Sequence, residues 1–314
     1  MSVASPPVAT KFGGKALGGG FSWAATFFLA PAALLLGVFL VYPTIYTFFL
    51  SFNRGRGGEF SEWVGLDNWI RLFTNDPNFL RLGFPPSGAL WNNVLWLVFY
   101  VSLTVFLGLV IAVMATRVRY EAVIKAVVFL PQAIAATSLA IIWRFVYAAD
   151  PDIGLLNATL GLAGAGPIAL LGNPDVVNWA LIAVGVWGSV GFATVILSAA
   201  IKGISSEVLE AARVDGATET QIFRRIIVPM VSLPISVVAV TLVVNVIKLF
   251  DLIYVMTKGG PGVSSRTIAF SMYQEAFPQG QFGYGAAIAM VMLLVLIPVM
   301  IFNIRRFRAE AVQA

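Results

Sequence analysis

The stretch Ser205–Met230, "SSEVLEAARVDGATETQIFRRIIVPM", decides how the rest of the chain is read. The 314 residues contain 20 basic and 15 acidic side chains. Eight of these fall between Lys202 and Arg225: Lys202, Glu207, Glu210, Arg213, Asp215, Glu219, Arg224 and Arg225. The surroundings are apolar. Hydrophobic residues make up 59% of the chain and charged ones 11%, against about a quarter in soluble proteins. With a mean hydropathy of +0.88, a soluble core could not hide so much apolar surface. The chain reads as an all-α polytopic membrane protein, and the polar stretch as a loop between spans.

Local signals divide that loop. Ser205 or Ser206 can cap a helix starting near Glu207, and Val208, Leu209, Ala211, Ala212 and Val214 give it an apolar face. Gly216 after Asp215 stops it, since glycine accepts the left-handed conformation at a helix end. Thr218 and Gln221 have the spacing of a capping box for a second helix. Ile222 with Ile226, and Phe223 with Ile227, repeat at i,i+4 and give it an apolar side. Pro229 then introduces the next span. The loop is expected to be two short amphipathic helices joined rigidly at an angle.

Working outward, uncharged runs long enough for a span are Thr26–Leu50, Ser87–Thr116, Val176–Ala200, Ile226–Ile247 and Ala276–Ile304; Ala126–Trp143 is a shorter sixth. Six membrane helices are expected, at about 25–50, 90–116, 124–147, 177–201, 230–255 and 284–305. A seventh uncharged stretch, "IGLLNATLGLAGAGPIALLGNP", carries five glycines and Pro167, which interrupt helices. It is expected to be a loop with short surface helices. Lys11 and Lys15 near the start, and Arg305, Arg306 and Arg308 near the end, place both termini in the cytoplasm by the positive-inside rule. That requires an even number of spans. Arg117, Arg119 and Lys125 place the loop after the second helix inside as well, and the residues from Asp150 to Asp175, without Lys or Arg, lie outside. One loop disagrees: Ser51 to Gly88 holds Arg54, Arg56, Arg71 and Arg81 yet must face out. Residues 1–20 are expected to be a disordered cytoplasmic tail, 21–87 the first helix and first outer loop, 88–305 the transmembrane core with the polar loop at 203–229, and 306–314 a second cytoplasmic tail.

Composition also excludes. There is no Cys and no His, so disulfides, thiolate metal sites and the commonest general base are absent. The pI near 9.6 reflects basic residues at span ends, not nucleic-acid binding. The 40 aromatic residues (8 Trp, 8 Tyr, 24 Phe) include many at span ends, where interface anchoring is their ordinary role.

"EAARVDGATETQIFRRIIVP" resembles the EAA motif of ABC-transporter permeases: Glu-Ala-Ala, three residues, Gly, nine residues, then Ile-x-Leu-Pro. The matching positions are Glu210, Ala211, Ala212, Gly216, Ile226 and Pro229, with Val228 in place of the usual Leu. "FDLIYVMTKGGPG" (250–262), "VGLDNWIRLF" (64–73), "WRFVYAADPDIGLLN" (143–157) and the "LAP…YP…SF" pattern of residues 29–52 are similar to the carbohydrate permeases of the maltose and glycerol-3-phosphate type. The resemblance implies a type I ABC importer permease in a bacterial or archaeal cytoplasmic membrane, transporting a sugar or related solute. It implies three partners besides lipid: a second, different permease chain, a dimer of ATP-binding subunits, and a periplasmic or lipid-anchored solute-binding protein. No phosphate-cradling Gly-x-x-x-x-Gly-Lys-Ser/Thr occurs, so the chain itself binds no cofactor, and ATP and Mg belong to the partner ATPase. The two loop helices resemble that ATPase's docking element, with Glu210 as a charged contact, Ala211 and Ala212 allowing close approach and Gly216 setting the angle.

The fifth span carries Thr241, Asn245, Lys248 and Asp251 at spacings of 4, 3 and 3, along one side of the helix. Charges in a membrane face a cavity or a partner. This side is the expected substrate path, although Lys248 and Asp251 could equally form a structural pair. Two other classes compete. A stand-alone ion-driven carrier would want carboxylates within its spans, and Asp251 is the single candidate. A membrane-embedded enzyme would have few catalytic side chains to use.

Overall fold

The computed structural model describes residues 23–82 and 86–311, and the chain divides into two compact units, 1–46 and 47–314. The expected tail at 1–20 lies outside the described residues. Among the described residues the secondary structure is helical, with isolated bridges and no strand. Four helices are long and apolar enough to cross a membrane: α1 (Thr26–Leu50), α2 (Ala89–Ala115), α6 (Val177–Lys202) and α12, which contributes Phe282–Arg306 to a helix continuing to Ala311. Two bent pairs raise the number to six if each pair is one span.

The uncharged runs explain the long helices. The most apolar part of α1 has no buried residue, whereas 56% of that of α6 is buried, so α6 is a central span. Val177, Leu181 and Val184 on one side of its first half, and Ala193 and Leu197 on the opposite side of its second, are fully covered, and α2 and the helix Glu121–Phe129 pack along it. The glycine-rich seventh stretch forms only the eight-residue helix α5 (Leu155–Leu162), too short to span.

Two expected helices are broken. The third (124–147) consists of α3 (Glu121–Phe129), a 3-10 turn at Leu130–Ala133, and α4 (Ala136–Val146), bent by 97°. Pro131 lies in the turn, where it has no N–H to continue the ladder, and Ile134 is extended. The fifth (230–255) is likewise discontinuous. After the loop helices α7 (Ser206–Val214) and α8 (Glu219–Met230), the chain bends by 71° into α9 (Ser232–Ile247). It leaves helical geometry at Lys248–Phe250 and resumes as α10 (Asp251–Met256). An expected one-sided stripe at 241, 245, 248 and 251 therefore does not exist, because its register assumed an unbroken helix.

The second break is held by side chains from elsewhere. Asn93 on α2 donates to the Val246 carbonyl at 3.1 Å and accepts from the Ile268 N–H at 2.8 Å. The Thr267 hydroxyl donates to the Leu249 carbonyl at 2.7 Å. Neighbouring Asn92 donates to the Arg266 carbonyl (2.8 Å) and accepts from Asn178 of α6 (3.1 Å), which also donates to the Ser264 carbonyl (2.7 Å). Irregular backbone at membrane depth is tolerated where such partners satisfy it. The same residues tie the segment before α11 (Ile268–Ala276) to the bundle, and α11 packs against α12.

Candidate transport site and coupling loop

Both breaks face one cavity of about 420 Å³. Trp96 and Tyr100 come from α2, Pro131, Gln132 and Leu139 from the third span, Gly185 and Ser189 from α6, and Asn245, Lys248, Phe250 and Asp251 from the fifth. Breaking the helix, rather than the stripe, is what brings Asn245, Lys248 and Asp251 to the cavity. Thr241 does not line it; its hydroxyl donates back to the Val237 carbonyl at 2.9 Å. Lys248 and Asp251 form no ion pair with each other among the described residues, so the structural pairing is not made. All three of Asn245, Lys248 and Asp251 are exposed and present their donors and acceptors to the cavity rather than to one another.

Four lining residues escaped the sequence reading: Trp96, Tyr100, Gln132 and Ser189. Gln132 beside Pro131, within an otherwise apolar run, was the available signal. The Tyr100 hydroxyl donates to Ser189 Oγ at 2.8 Å and crosses from α2 to α6. Trp96 can lie against α6 because Gly185 leaves room: a Cβ there would come within 2.8 Å of the indole ring. The lining combines flat aromatic surface with hydrogen-bonding groups and two separated charges.

The polar loop adopts the two-helix form its caps specify. Ser205 Oγ accepts from the Glu207 N–H (3.2 Å). Thr218 and Gln221 close a full capping box. At the junction Gly216 has φ +81°; its N–H reaches the Arg213 carbonyl (3.0 Å) and the Ala217 N–H reaches the Ala212 carbonyl (3.0 Å). This is the paired Schellman closure, which uses a left-handed residue. The motif residues separate into two groups. Ala212 and Ile226 pack against the core, together with Leu209, Ala217 and Phe223. Glu210, Ala211, Gly216 and Pro229 are exposed.

An ion cluster braces the pair. Glu219, at the start of α8, accepts from Arg213 Nε of α7 at 3.0 Å and from Arg117 Nη2, just past the end of α2, at 2.5 Å. The Arg213 hydrogen bond, reinforced by Arg117, holds this loop carboxyl below the usual carboxylate range. Beside it, Glu121 at the start of α3 pairs with Lys125 and with Lys202 at the end of α6 (2.7 Å). The loop is thereby tied to the ends of membrane helices.

Gly216→Val tests the hinge. A Cβ there would meet open space, so its cost is the left-handed backbone alone, about 1–2 kcal/mol. The variant is expected to insert normally but to exchange the amide hydrogens of residues 212–218 faster, as the closure between the two loop helices loosens. Unchanged exchange there would show that the left-handed backbone at Gly216 does not hold the angle.

An apolar bundle whose helix breaks enclose a polar cavity has the architecture of a solute path through a membrane. The profile of the family described as "Binding-protein-dependent transport system inner membrane component" matches residues 104–306. The chain belongs to that family and is the permease component of such a system. It is 45% identical to the osmoprotective compounds uptake permease protein GgtC of Synechocystis sp., over 90% of this chain and 98% of that protein. It is 40% identical to the alpha-glucoside transport system permease protein AglF of Rhizobium meliloti, over 90% and 82% of the two chains. A solved bacterial ABC transporter involved in the import of the acidic polysaccharide alginate shares the fold, with a TM-score of 0.73 at 22% identity and coverage of 91% and 96%.

Proposed function

We propose that this chain forms half of the translocation path of an ATP-driven importer for a sugar, oligosaccharide or similar small polyol. The observation that carries this reading is the cavity at the two helix breaks. Sugars present apolar ring faces and many hydroxyls. The half-buried Phe250 offers apolar surface, and the exposed Gln132, Asn245, Lys248 and Asp251 offer donors and acceptors. Its volume of about 420 Å³ lies within the range of small-molecule sites. The name of the alpha-glucoside relative supports the same solute class.

In this reading each bent pair is one span, giving six, with both termini and the loop at 203–229 on the cytoplasmic side of the bacterial or archaeal inner membrane. The exposed face with Glu210, Ala211 and Gly216 docks on a separate ATPase dimer, which binds ATP and Mg. A second permease chain completes the path, and a solute-binding protein delivers the substrate from outside. Closure of the ATPase dimer would move the braced helix pair as a body, tilting α2, α3 and α6 through the ion clusters at their ends.

The test is reconstitution in liposomes of the chain with the permease, ATPase and binding protein encoded beside it. Radiolabelled glucosides or small polyols should accumulate only with ATP on the loop side and binding protein on the other. Uptake driven by a proton or sodium gradient without ATP would overturn the proposal.

A further inference from the structure

Five aromatic rings touch in series from the cavity to the turn between α11 and α12. Phe250, which lines the cavity, has its ring centre 5.2 Å from that of Tyr254 on α10 and 5.0 Å from that of Tyr273 on α11. Tyr254 and Tyr273 meet at 5.6 Å with their planes at 82°. Tyr273 reaches Phe277 at 5.5 Å, and Phe277 reaches Phe282, the first residue of α12, at 5.8 Å. Buried Phe270 backs the inner end, 6.3 Å from Phe250 and 6.5 Å from Tyr254. At the far end the Phe282 N–H donates to the Gly55 carbonyl at 3.1 Å. Beside it, Arg54, Arg56 and Arg71 converge with Gln281 and Tyr284 on one concave surface.

The series is not a core. Tyr254 is 39% exposed and Phe277 60%, while Phe250, Tyr273 and Phe282 are half-buried. Aromatic residues at span ends ordinarily anchor in the lipid interface. Anchoring asks nothing of one ring by its neighbour, and it needs no connection to a cavity. Here the rings form a continuous line that begins in the cavity, and two of its members belong to the nine-residue α11 or lie just past it, which is too short to be a span.

We propose that these rings are an entry track, a string of stacking sites that passes the apolar faces of sugar rings from the outer surface to the cavity. It rests on the importer reading, which makes the cavity the path and this end the outer one. A ring face takes the apolar side of a sugar, and the hydroxyls of Tyr254 and Tyr273 can exchange hydrogen bonds with its polar edge. One stacking contact is weak, so a sugar is handed from ring to ring instead of being trapped at the first.

The experiment measures ATP-driven glucoside uptake by the complete complex in proteoliposomes, with each variant first matched to the parent by thermal melting. Tyr254→Leu with Phe277→Leu keeps apolar bulk but removes two flat faces. It is expected to lower uptake about ten-fold while binding-protein-stimulated ATP hydrolysis changes less than about two-fold. Tyr254→Phe with Phe277→Tyr, which keeps both rings, should stay within about three-fold of the parent. Tyr273→Leu, which interrupts the line between them, should resemble the leucine pair. Parental uptake by the leucine pair overturns the proposal. So does an equal loss in the variant that keeps both rings. A loss that appears in one lipid composition and vanishes in another overturns it too, and assigns the rings to membrane anchoring. Loss of the second permease chain from the purified leucine-pair complex overturns it in favour of a subunit interface. If the parent complex shows no ATP-driven uptake, the importer reading itself fails, a distinct result.

Discussion

A complex carrying Glu219→Lys is expected to hydrolyse ATP while transporting about ten-fold less solute per ATP than the parent. Glu219 is the common acceptor for Arg213 and Arg117. An exposed ion pair of this kind contributes little to global stability, so the protein should fold and insert. The local consequence is larger. The substitution gathers three positive charges where two were held by one negative, and like charges at this spacing repel. The start of α8 would detach from the end of α7 and from α2. Motion of the docking face would then dissipate in the loop instead of reaching the bundle. The measurement is the ratio of solute accumulated to phosphate released in proteoliposomes. The exchange Arg117→Glu with Glu219→Arg should recover part of the ratio, since it restores one of the two pairs. A parental ratio in Glu219→Lys would mean that the brace carries no motion.

Replacing both Asn245 and Lys248, as Asn245→Leu with Lys248→Met, is expected to lower uptake about 100-fold. The binding-protein-stimulated ATPase should stay within a few-fold of the parent. Each side chain is exposed at the cavity, and neither has a hydrogen-bond or ion-pair partner among the described residues. A hydrogen bond to a neutral group contributes about 1 kcal/mol and one to a charged group about 1.5–3 kcal/mol. Their combined loss is thus about 2.5–4 kcal/mol. Asn245→Ser, which retains a donor and an acceptor, should lose far less. Equal uptake by the double variant and the parent would remove this cavity from the path.

The sequence disclosed the local features and concealed the distant ones. Caps, the left-handed glycine and the apolar repeats of residues 205–229 act over a few residues, and each formed as read. The long uncharged runs became the long helices. The breaks at Pro131 and Lys248 were not legible as breaks. A helix that ends early at membrane depth needs replacement hydrogen bonds, and those come from Asn93 and Thr267, whose purpose shows only in three dimensions. Counting i+3 and i+4 from Thr241 therefore placed four residues on one helix side that the break does not preserve. Asn245, Lys248 and Asp251 reach a common cavity through the break, and Thr241 stays with its helix. The arginines of the first loop were visible as an anomaly, but their convergence required Tyr284 and Gln281, about two hundred residues away.

The break at Lys248 also constrains how the protein is made. Its carbonyls at Val246 and Leu249 are satisfied by a residue synthesised early, Asn93, and by one synthesised late, Thr267. While the growing chain ends short of Thr267, the Leu249 carbonyl lacks its hydroxyl donor and would sit unsatisfied in hydrocarbon. The fifth span therefore has no reason to break as it leaves the insertion machinery. Its kink, and the cavity that depends on it, take final form only once the segment before α11 has folded back. The cavity is therefore shaped only after Thr267 has emerged, long after its walls from α2 and α6 have been synthesised.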